Sequence, residues 1–355
     1  MIVTVNSQVL ASELRLLKNI VPTKPAIAIL NHALLHAEGD ALHFYATDLE
    51  VGLSTNCPAQ VTTPGDICLP VAKFLSLVEQ FPDADVALSL DKSHVQVRCA
   101  AFKSRLQAMP AKDFPKIQEV EGVPFTLDFL QLRQLIERVR PAISANSNKY
   151  VLKGALLTVV GSVAAMVSTD GTRLVLTTMN TAESNQRFVI PMKALDVLSD
   201  QSDGGDIEII ADKHLQFTIG DKVIISRTID GEFPKYERII PRENHKQATI
   251  DRSGLMAALK RILVAADANK AVYVALSTDA VELSSASAEV GSASEMVSAN
   301  YSGEPLKICI NGEYVLDFLQ AASSAAVTMA VKDATGASLW TDGPDHVCVI
   351  MLMRS

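Results

Sequence analysis

Several features that mark common protein classes are missing from this sequence or scarce in it. Aromatic residues make up 5% of its 355 positions and include a single tryptophan, so the cores must be built mainly from leucine, isoleucine, valine and alanine. The longest apolar stretch, GALLTVVGSVAAMV, is too short to span a bilayer, and the opening residues lack the basic and apolar regions of an export signal. We therefore expect neither export nor membrane anchoring.

Paired cysteines are also missing. The five cysteines are scattered singly, without a C-x-x-C pair. An odd count and wide spacing argue against a disulfide framework and against a zinc site. The sequence therefore predicts a protein of the reducing cytoplasm. The cysteines are Cys57, Cys68, Cys99, Cys309 and Cys348.

Signatures of catalysis and cofactor binding are equally scarce. The chain has no P-loop and no G-x-G-x-x-G, G-x-S-x-G or H-E-x-x-H pattern. His32, His36 and His43 have a loosely metal-like spacing, but a strand and turn through NHALLHAEGDALHF should scatter them. We expect no metal, no cofactor and no catalytic residues.

The chain also lacks an excess of positive charge. It has 32 lysines and arginines against 40 acidic residues, and its formal net charge is -8. Such a chain is not expected to grip nucleic acid tightly by neutralising phosphates. A protein that surrounds DNA without holding it can still collect basic residues on one face and keep the rest acidic.

The most informative feature present is an internal repeat. The segments MIVTVNSQVLASELRLLKNI, VPFTLDFLQLRQLIERVRPA and KQATIDRSGLMAALKRILVA are copies of one unit, related by steps of 122 and then 123 residues. A repeat of this length indicates tandem domains of ordinary size. Corresponding positions include Thr4, Thr126 and Thr249; Leu10, Leu132 and Leu255; Leu14, Ile136 and Leu259; and Leu17, Val139 and Ile262.

Each copy opens with a short strand and continues as an amphipathic helix. Asn6, Asp128 and Asp251 occupy the position where a helix N-cap belongs. Apolar residues then recur at spacings of four and three, which leaves the opposite face free for basic residues. These basic residues are either ordinary solvated positions or a shared functional face, and they are Arg15, Lys18, Arg133, Arg138, Lys260 and Arg261.

A second strand and helix follow later in each copy, in ICLPVAKFLSLVEQF, FVIPMKALDVLSDQ and KICINGEYVLDFLQAA. Alternating segments such as VALSLDKSHVQVRCA, IEIIADKHLQFTIGDKVIISRTI and VTMAVKDATGASLWT predict antiparallel strands. The predicted fold class is α+β, with each copy placing two helices on antiparallel sheets. Polar stretches near 119–122 and 243–247 suggest domain limits at 1–122, 123–246 and 247–355.

An enzyme is the main rival hypothesis. Asp48 with Glu50 or Asp170 could form a carboxylate pair of the kind used by hydrolases. However, Asp48 and Asp170 are repeat equivalents, and each follows a threonine. A turn or capping role inherited through duplication explains them better. A repeat protein without a DNA function is the other alternative.

Several motifs make the chain resemble the bacterial DNA polymerase III beta subunit family, from end to end. They are KPAIAILNHALL, ATDLEVGL, MPAKDFPKI, KYVLKGALL, STDGTRLVL, RTIDGEFPKYERIIP, NGEYVLDFLQA and VIMLMRS. The resemblance implies three tandem DNA-clamp domains per chain and two chains joined head to tail in a ring around duplex DNA. It also implies a processivity factor that recruits polymerases, the clamp loader and repair proteins.

The resemblance further implies the residues of each site. Residues expected in a hydrophobic groove for short partner peptides of the Q-x-x-L-F type are Leu152, Thr169, Gly171, Thr172, Arg173, Leu174, Pro234, Arg238 and Ile239, with Tyr314, Ser338, Val349, Met351, Met353 and Arg354 on its rim. Residues expected at DNA are Lys24, Lys73, Asn146, Lys149 and Tyr150. At the dimer interface, Ser104 and Leu106 are expected to face Leu263 and Val264. Core packing is the alternative for Leu152, Leu174 and Ile239.

The last residues depart from the family pattern M-x-P-M-R-L. Leu352 replaces the proline, and Ser355 replaces the final leucine. Loss of the proline is expected to free the amide of residue 352, so Leu352→Pro should stiffen the tail and strengthen peptide binding. The same departure leaves open whether this is a housekeeping clamp or a second, plasmid or phage copy.

Overall fold

The structure is a computed structural model that describes residues 1–116, 118, 120–201 and 204–354. Glu119, at a predicted domain limit, and Ser355, in the predicted tail, lie outside the described residues. Among the described residues, no helix is both long enough and apolar enough to cross a bilayer.

The first third of the chain alternates short strands with two helices. The strands are β1 (Ile2–Asn6), β2 (His32–Glu38), β3 (Ala41–Thr47), β4 (Val51–Pro58), β5 (Gln60–Thr63), β6 (Gly65–Pro70), β7 (Asp85–Asp91), β8 (His94–Cys99) and β9 (Phe102–Gln107). The helices are α1 (Ser7–Lys18) and α2 (Val71–Val78).

The middle third repeats this pattern with longer strands. The strands are β10 (Phe125–Asp128), β11 (Gly154–Thr169), β12 (Arg173–Pro191), β13 (Asp206–Ala211), β14 (His214–Ile219) and β15 (Lys222–Arg227). The helices are α3 (Phe129–Val139) and α4 (Met192–Ser199).

The last third again opens with a strand and a helix and has a second helix later, followed by three strands. The strands are β16 (Lys246–Asp251), β17 (Ala271–Ser277), β18 (Ala280–Ser287), β19 (Gly291–Asn300), β20 (Leu306–Asn311), β21 (Ala326–Val331), β22 (Ala337–Thr341) and β23 (His346–Met351). The helices are α5 (Arg252–Ile262) and α6 (Gly312–Ala321), and short 3-10 helices include Tyr150–Lys153, Tyr236–Arg238 and Leu263–Ala265. The predicted strands and helices are thus confirmed in all three copies.

The first helix of each copy begins where the sequence predicted. Asn6 Oδ1 accepts hydrogen bonds from the amides of Gln8 and Val9, and Asp251 Oδ2 accepts one from the amide of Gly254. These bonds satisfy amides that have no partner within the helix. The repeated apolar positions are buried, because α1, α3 and α5 each turn this face toward the sheets.

The basic residues of these helices differ more than the repeat suggested. Arg15 and Arg261 are exposed and form ion pairs with Glu79 and Glu295. Arg138 is different: its side chain is only 15% exposed. It donates a hydrogen bond to Thr177 Oγ1 and a weaker one to Ser323 Oγ. The prediction of a free, exposed face is therefore wrong for Arg138, because its side chain reaches Thr177 of β12 and Ser323, just after α6.

The first compact unit comprises Met1–Leu130 and Lys193–Thr228. Its sheets have the strand orders β5-β1-β7-β8-β9 and β10-β13-β14-β15-β4-β3-β2-β6. The second sheet is continuous between repeats, since Ser226 of β15 pairs with Val51 of β4. Lys193 links the same repeats by donating to the carboxylate of Asp48 and, at 3.0 Å, to the carbonyl of Ile20.

The second compact unit comprises Gln131–Met192 and Ile229–Ser355. Its sheet has the strand order β11-β12-β23-β22-β21-β16-β19-β18-β17-β20. Continuity between repeats comes from β12 and β23, where Leu174 pairs with Val349. The middle repeat therefore contributes strands to both compact units. Domain limits at residues 122 and 246 stay a prediction from sequence.

The cysteines are free and buried. Burial raises the pKa of the Cys57, Cys68 and Cys348 thiols to about 12. These thiols stay protonated at neutral pH and are therefore poor nucleophiles.

A buried polar cluster lies in the second compact unit. Asp342 accepts hydrogen bonds from the amides of Ser323 (2.7 Å) and Ser324 (3.0 Å). Burial raises the pKa of Asp342, but the hydrogen bonds from these serines outweigh burial and the pKa falls to about 2. His346 is fully buried, 3.8 Å from Asp342. Burial, followed by the charge of Arg138, lowers the pKa of His346 to about 4.

This cluster predicts a loss of stability in mild acid. The pKa of His346 lies below the ordinary value of 6.5, so between pH 6.5 and about 4 the unfolded chain binds a proton that the folded chain does not. We expect the free energy of unfolding to fall by roughly 3 kcal/mol through this group as the pH drops across that window. Urea unfolding of the wild type, His346→Gln and the control His43→Gln, whose ring is exposed, measures the effect. Equal pH slopes for all three proteins would contradict it.

Candidate peptide-binding groove

The T-D-G-T-R segment forms a tight turn between β11 and β12. Thr169 Oγ1 donates to the carbonyl of Arg173 at 2.6 Å and accepts from the amide of Gly171 at 3.1 Å. Asp170 Oδ1 accepts from the amides of Thr172 (2.8 Å) and Arg173 (3.0 Å). The φ of Gly171 is +93°, a conformation that favours glycine. The turn thus fixes the backbone at the start of β12.

The repeat-equivalent turn between β3 and β4 has the same hydrogen bonds. Thr47 Oγ1 donates to the carbonyl of Val51 at 3.0 Å, and Asp48 Oδ1 accepts from the amides of Glu50 (2.9 Å) and Val51 (2.8 Å). The predicted turn role of Asp48 and Asp170 is confirmed. Both carboxylates are occupied in holding their turns, which removes the basis for pairing them in a catalytic site.

Arg173 joins this turn to α6. Its guanidinium forms ion pairs with Asp170 (3.1 Å) and Asp317 (2.6 Å) and donates to the carbonyl of Pro141. It also lies 4.1 Å from the centre of the Tyr314 ring, a distance typical of a cation–π contact. Because the Arg173 side chain is only 10% exposed, its donors are committed within the chain. Arg173, which the resemblance places in the groove, thus ties the turn to α6.

Beneath this turn lies an apolar cluster that contains Leu152 and Leu174 of the predicted groove, together with Val349, which was expected on the rim and is buried instead. Leu152 is 6% exposed, and Leu174 and Val349 are each 1% exposed. They pack with further apolar residues of β11, β12 and the segment after β15, namely Leu156, Val167, Val189, Ile229 and Phe233. Core packing is therefore their main role in the chain as it stands. The structure does bring them together, as the family resemblance implied.

The rim above the cluster is open. Ile239 and Met351 are 43% and 47% exposed, which is high for apolar side chains of this size. Pro234, Leu352 and Met353 are half-buried, whereas Arg238 and Arg354 are exposed. Next to the rim lies a cavity of about 630 Å³ between residues 237–244 and 332–337. An apolar rim beside a cavity can take up apolar side chains of another molecule. Core packing, the alternative considered for Ile239, is therefore excluded by its exposure.

Ser338 does not belong to this rim. It is completely buried, its Oγ donates to the carbonyl of Ile350 at 3.1 Å, and it accepts from Trp340 Nε1 at 3.1 Å. Successive residues of a strand point to opposite faces, and in β22 both Ser338 and Trp340 point inward. The expectation that Ser338 lines the rim is wrong.

The tail is held by backbone hydrogen bonds. The amides of Met351, Leu352 and Met353 donate to the carbonyls of Thr172 (2.9 Å), Gly336 (3.3 Å) and Cys309 (2.8 Å), respectively. The missing proline had suggested a free amide at Leu352. This amide is bonded to the carbonyl of Gly336 instead. These bonds tie the tail to the turn, the β21–β22 hairpin and β20.

The residues expected at DNA are all exposed. Lys24 and Lys73 lie in the first compact unit, where Lys73 and Lys18 both line a cavity of about 610 Å³. Asn146, Lys149 and Tyr150 lie in the second unit, after α3. The Tyr150 ring is 59% exposed, and Lys153 Nζ lies 5.8 Å from its centre. Exposed cations beside an exposed aromatic ring are suited to phosphate and sugar contacts.

The histidines are closer together than the sequence suggested. His36 and His43 pair across β2 and β3, with ring centres 5.8 Å apart. His36 also contacts Asp66 and Glu38, and the bond to Asp66 is the largest cause that raises its pKa. Its two ring nitrogens face different carboxylates. In the described ranges no group of three or more histidine, cysteine, aspartate or glutamate side chains is arranged to hold a metal ion.

The expected interface residues lie at accessible places. Ser104 and Leu106 are half-buried on β9, the end strand of its sheet. Leu263 and Val264 form the 3-10 helix after α5, and Val264 is 74% exposed.

Asp317 is the site residue that sequence reasoning missed. It lies one turn after Tyr314 in NGEYVLDFLQA, so both side chains reach Arg173 from the same face of α6. The spacing of three residues shows in the sequence that both side chains share one face of a helix. Only the folded chain shows that this face contacts Arg173.

Comparisons with known proteins cover the whole chain. Family descriptions match the DNA polymerase III beta subunit N-terminal domain at residues 1–118, its central domain at 126–235 and its C-terminal domain at 237–354. The chain is 28% identical over 354 residues to the beta sliding clamp of Chlamydia pneumoniae, with 97% of this chain and 96% of that one covered. It is 30% identical over 367 residues to that of Caulobacter vibrioides, with 99% and 98% covered.

The same relation appears in three dimensions. A crystal structure of the sliding clamp of Pseudomonas aeruginosa bound to griselimycin has a TM-score of 0.95 with this chain, at 28% identity and with 100% of both chains covered. Three successive domain matches, full coverage and a common fold lead to one conclusion: the chain belongs to the DNA polymerase III beta subunit family and consists of three tandem clamp domains.

Proposed function

We propose that this protein is a DNA sliding clamp. Two copies join head to tail into a closed ring around duplex DNA, confer processivity on a replicative polymerase and recruit polymerases, the clamp loader and repair proteins. The observation that carries the proposal is the apolar rim of Ile239 and Met351 above a packed cluster, in a chain that matches all three clamp domains. A clamp needs such a groove because its partners must dock, act and leave.

Two open strand edges support the head-to-tail dimer. The sheet of the first unit ends at β9, and in the second unit β19 pairs with β18 along Gly291–Ser298 but with β16 only at Ala299 and Asn300. Open edges pair readily with another chain. A contact between unlike surfaces can close a ring after two copies.

The acidic net charge and the lack of catalysis fit the same function. Lys24, Lys73, Asn146, Lys149 and Tyr150 offer phosphate contacts without a base-reading element, which permits sequence-independent sliding. Asp48 and Asp170 hold turns, so chemistry is left to the bound polymerase. Five free, buried cysteines and a role at the chromosome favour the cytoplasm.

Retention on circular DNA tests the ring. Once loaded, the protein should stay on nicked circular duplex and slide off after the circle is cut, because a closed ring has no other exit. A repeat protein without a DNA function would bind neither form. Equal retention on linear and circular DNA would show gripping rather than encirclement.

The dimer contact gives a separate prediction. Val264→Lys should raise the dimer dissociation constant about tenfold or more, since it places a charge in an interface core, a change worth at least roughly 1.4 kcal/mol. Sedimentation velocity across a concentration series measures this. Val160→Lys, at a valine that is 70% exposed, is the matched control and should leave the dimer unchanged. If both variants dimerise like the wild type, Val264 lies outside the interface.

A further inference from the structure

A small cavity lies in the first compact unit, away from every residue of the proposed groove. Its volume is about 130 Å³, and its lining includes Tyr45, Thr47, residues 49–52, Pro115, Lys116, His214 and residues 225–227. By the same measure a single water molecule needs about 10–15 Å³, so this cavity can hold an amino acid side chain.

The cavity is built from the same pieces as the groove, one repeat earlier. The turns at 47–51 and 169–173 share their hydrogen bonds. The amide of Arg227 donates to the carbonyl of Glu50 at 3.2 Å, just as the amide of Met351 donates to that of Thr172. Strand β15 pairs with β4 as β23 pairs with β12. The segment FPK occurs at 114–116 and again at 233–235. The repeat has therefore produced two equivalent surfaces in each chain.

Leu49 indicates that the first of these surfaces has a binding role of its own. Its φ is +78°, a left-handed conformation that strains a leucine, whereas the equivalent Gly171 adopts +93° without strain. Leu49 lines the cavity and is 45% exposed. A glycine would suit the turn better. An exposed apolar side chain held at a strained position is suited to packing against a ligand.

The charges around the cavity indicate what that ligand carries. Lys116 and Arg227 are exposed, and within the described part of the chain neither side chain has an ion-pair or hydrogen-bond partner. Glu50 is the acidic residue of the lining, and the imidazole of His214 also lies in it. The lining is mixed, with polar side chains such as Thr47 and apolar ones such as Tyr45 and Ile225. Unpaired cations beside apolar side chains favour an apolar side chain next to a carboxylate.

We propose that this cavity is a second peptide-binding site, which accepts a short segment with an apolar residue followed by acidic residues. Arg227 binds the carboxylate, and Leu49 with Tyr45 contacts the apolar side chain. The site does not depend on the proposed groove, because it shares no residue with it. It would let one chain hold two partner segments at once, an apolar segment in the groove and an acidic segment in this cavity.

The test uses full-length protein and acetyl-Leu-Glu-Glu-amide as the probe, followed by ligand-observed NMR at millimolar concentration. We expect saturable binding that Arg227→Gln weakens about tenfold, the loss of one charge-assisted contact. Leu49→Gly should also weaken binding, yet should not lower the melting temperature because it relieves the strained φ. Met351→Asp, in the proposed groove, is the matched control: it should weaken a peptide of the Q-x-x-L-F type and leave the acidic probe unaffected.

Three outcomes would overturn the second site. The probe shows no saturable binding to the wild type, or Arg227→Gln binds it as well as the wild type does, or Met351→Asp abolishes its binding and so places it in the groove. Retention of the same variants on duplex DNA provides a further test. If Arg227→Gln weakens DNA retention and leaves the probe unaffected, Arg227 is a phosphate contact and the proposal fails. None of these results bears on whether the Q-x-x-L-F peptide binds the groove.

Discussion

Arg173→Ala is expected to lower the free energy of unfolding by about 3–5 kcal/mol, because it leaves two carboxylates without their common cation. Arg173 is 10% exposed and Asp170 18%, so this pair is shielded from solvent, whereas Asp317 is 36% exposed. The change also removes the stacking on Tyr314 and a donor to the carbonyl of Pro141. Urea unfolding followed by the fluorescence of Trp340, which is buried in the same compact unit, measures the loss.

Two further variants separate the ion pairs from general packing. Arg238→Ala removes an exposed arginine of the same unit and should change stability by less than about 0.5 kcal/mol. Asp317→Asn combined with Arg173→Ala should lose less than the sum of the single changes, since both act on one contact. Strict additivity would mean that Arg173 and Asp317 do not interact as the geometry indicates.

Local patterns made the repeated elements predictable. N-cap residues and apolar spacing specify a helix within about three turns of chain, and Asn6 and Asp251 perform this role as expected. Asp48 and Asp170 were predictable for the same reason, because their turns are closed by residues two and three positions away. The family motifs added the groove floor, which the structure gathers into one cluster.

Roles that depend on distant residues were not predictable. Arg138 has the periodicity of an exposed helix position, but Thr177 lies 39 residues away in the chain. Ser338 is polar and follows a loop, yet its Oγ donates to the carbonyl of Ile350, 12 residues later on the neighbouring strand. Arg173 lies in a binding motif, and its second carboxylate comes from a helix 144 residues later. In each case a partner that no local pattern reveals decides whether the side chain is free.

The continuity of the sheets between repeats explains why the compact units differ from the repeats. A strand that ends one repeat, β15 or β23, pairs with the strand that follows the threonine turn of the preceding repeat, β4 or β12. A cavity lies at or beside each such junction. The later junction exposes Met351 and Ile239, and the earlier one exposes Leu49, Arg227 and Lys116.

Removing the tail from Leu352 onward should reduce peptide binding at the later junction about a hundredfold or more. A Q-x-x-L-F peptide that buries a leucine and a phenylalanine could gain roughly 3–6 kcal/mol before ordering costs, and its affinity is therefore modest from the outset. The deletion removes the half-buried side chains of Leu352 and Met353 and the two amides that bind Gly336 and Cys309. The loss corresponds to about 2.7 kcal/mol or more.

The ring should survive this deletion, because the tail lies outside the proposed interface of β9, β19 and Val264. Leu352→Pro and Leu352→Ala refine the result. Both remove the leucine side chain, but only proline removes the amide that donates to Gly336. Proline should therefore bind the peptide more weakly than alanine, contrary to the strengthening that the family pattern suggested. A fluorescent peptide titrated into each protein gives the affinities, and sedimentation of the same samples gives the oligomeric state. If proline binds more tightly than alanine, stiffening of the tail outweighs the lost hydrogen bond; if the truncated protein binds like the wild type, partners dock elsewhere.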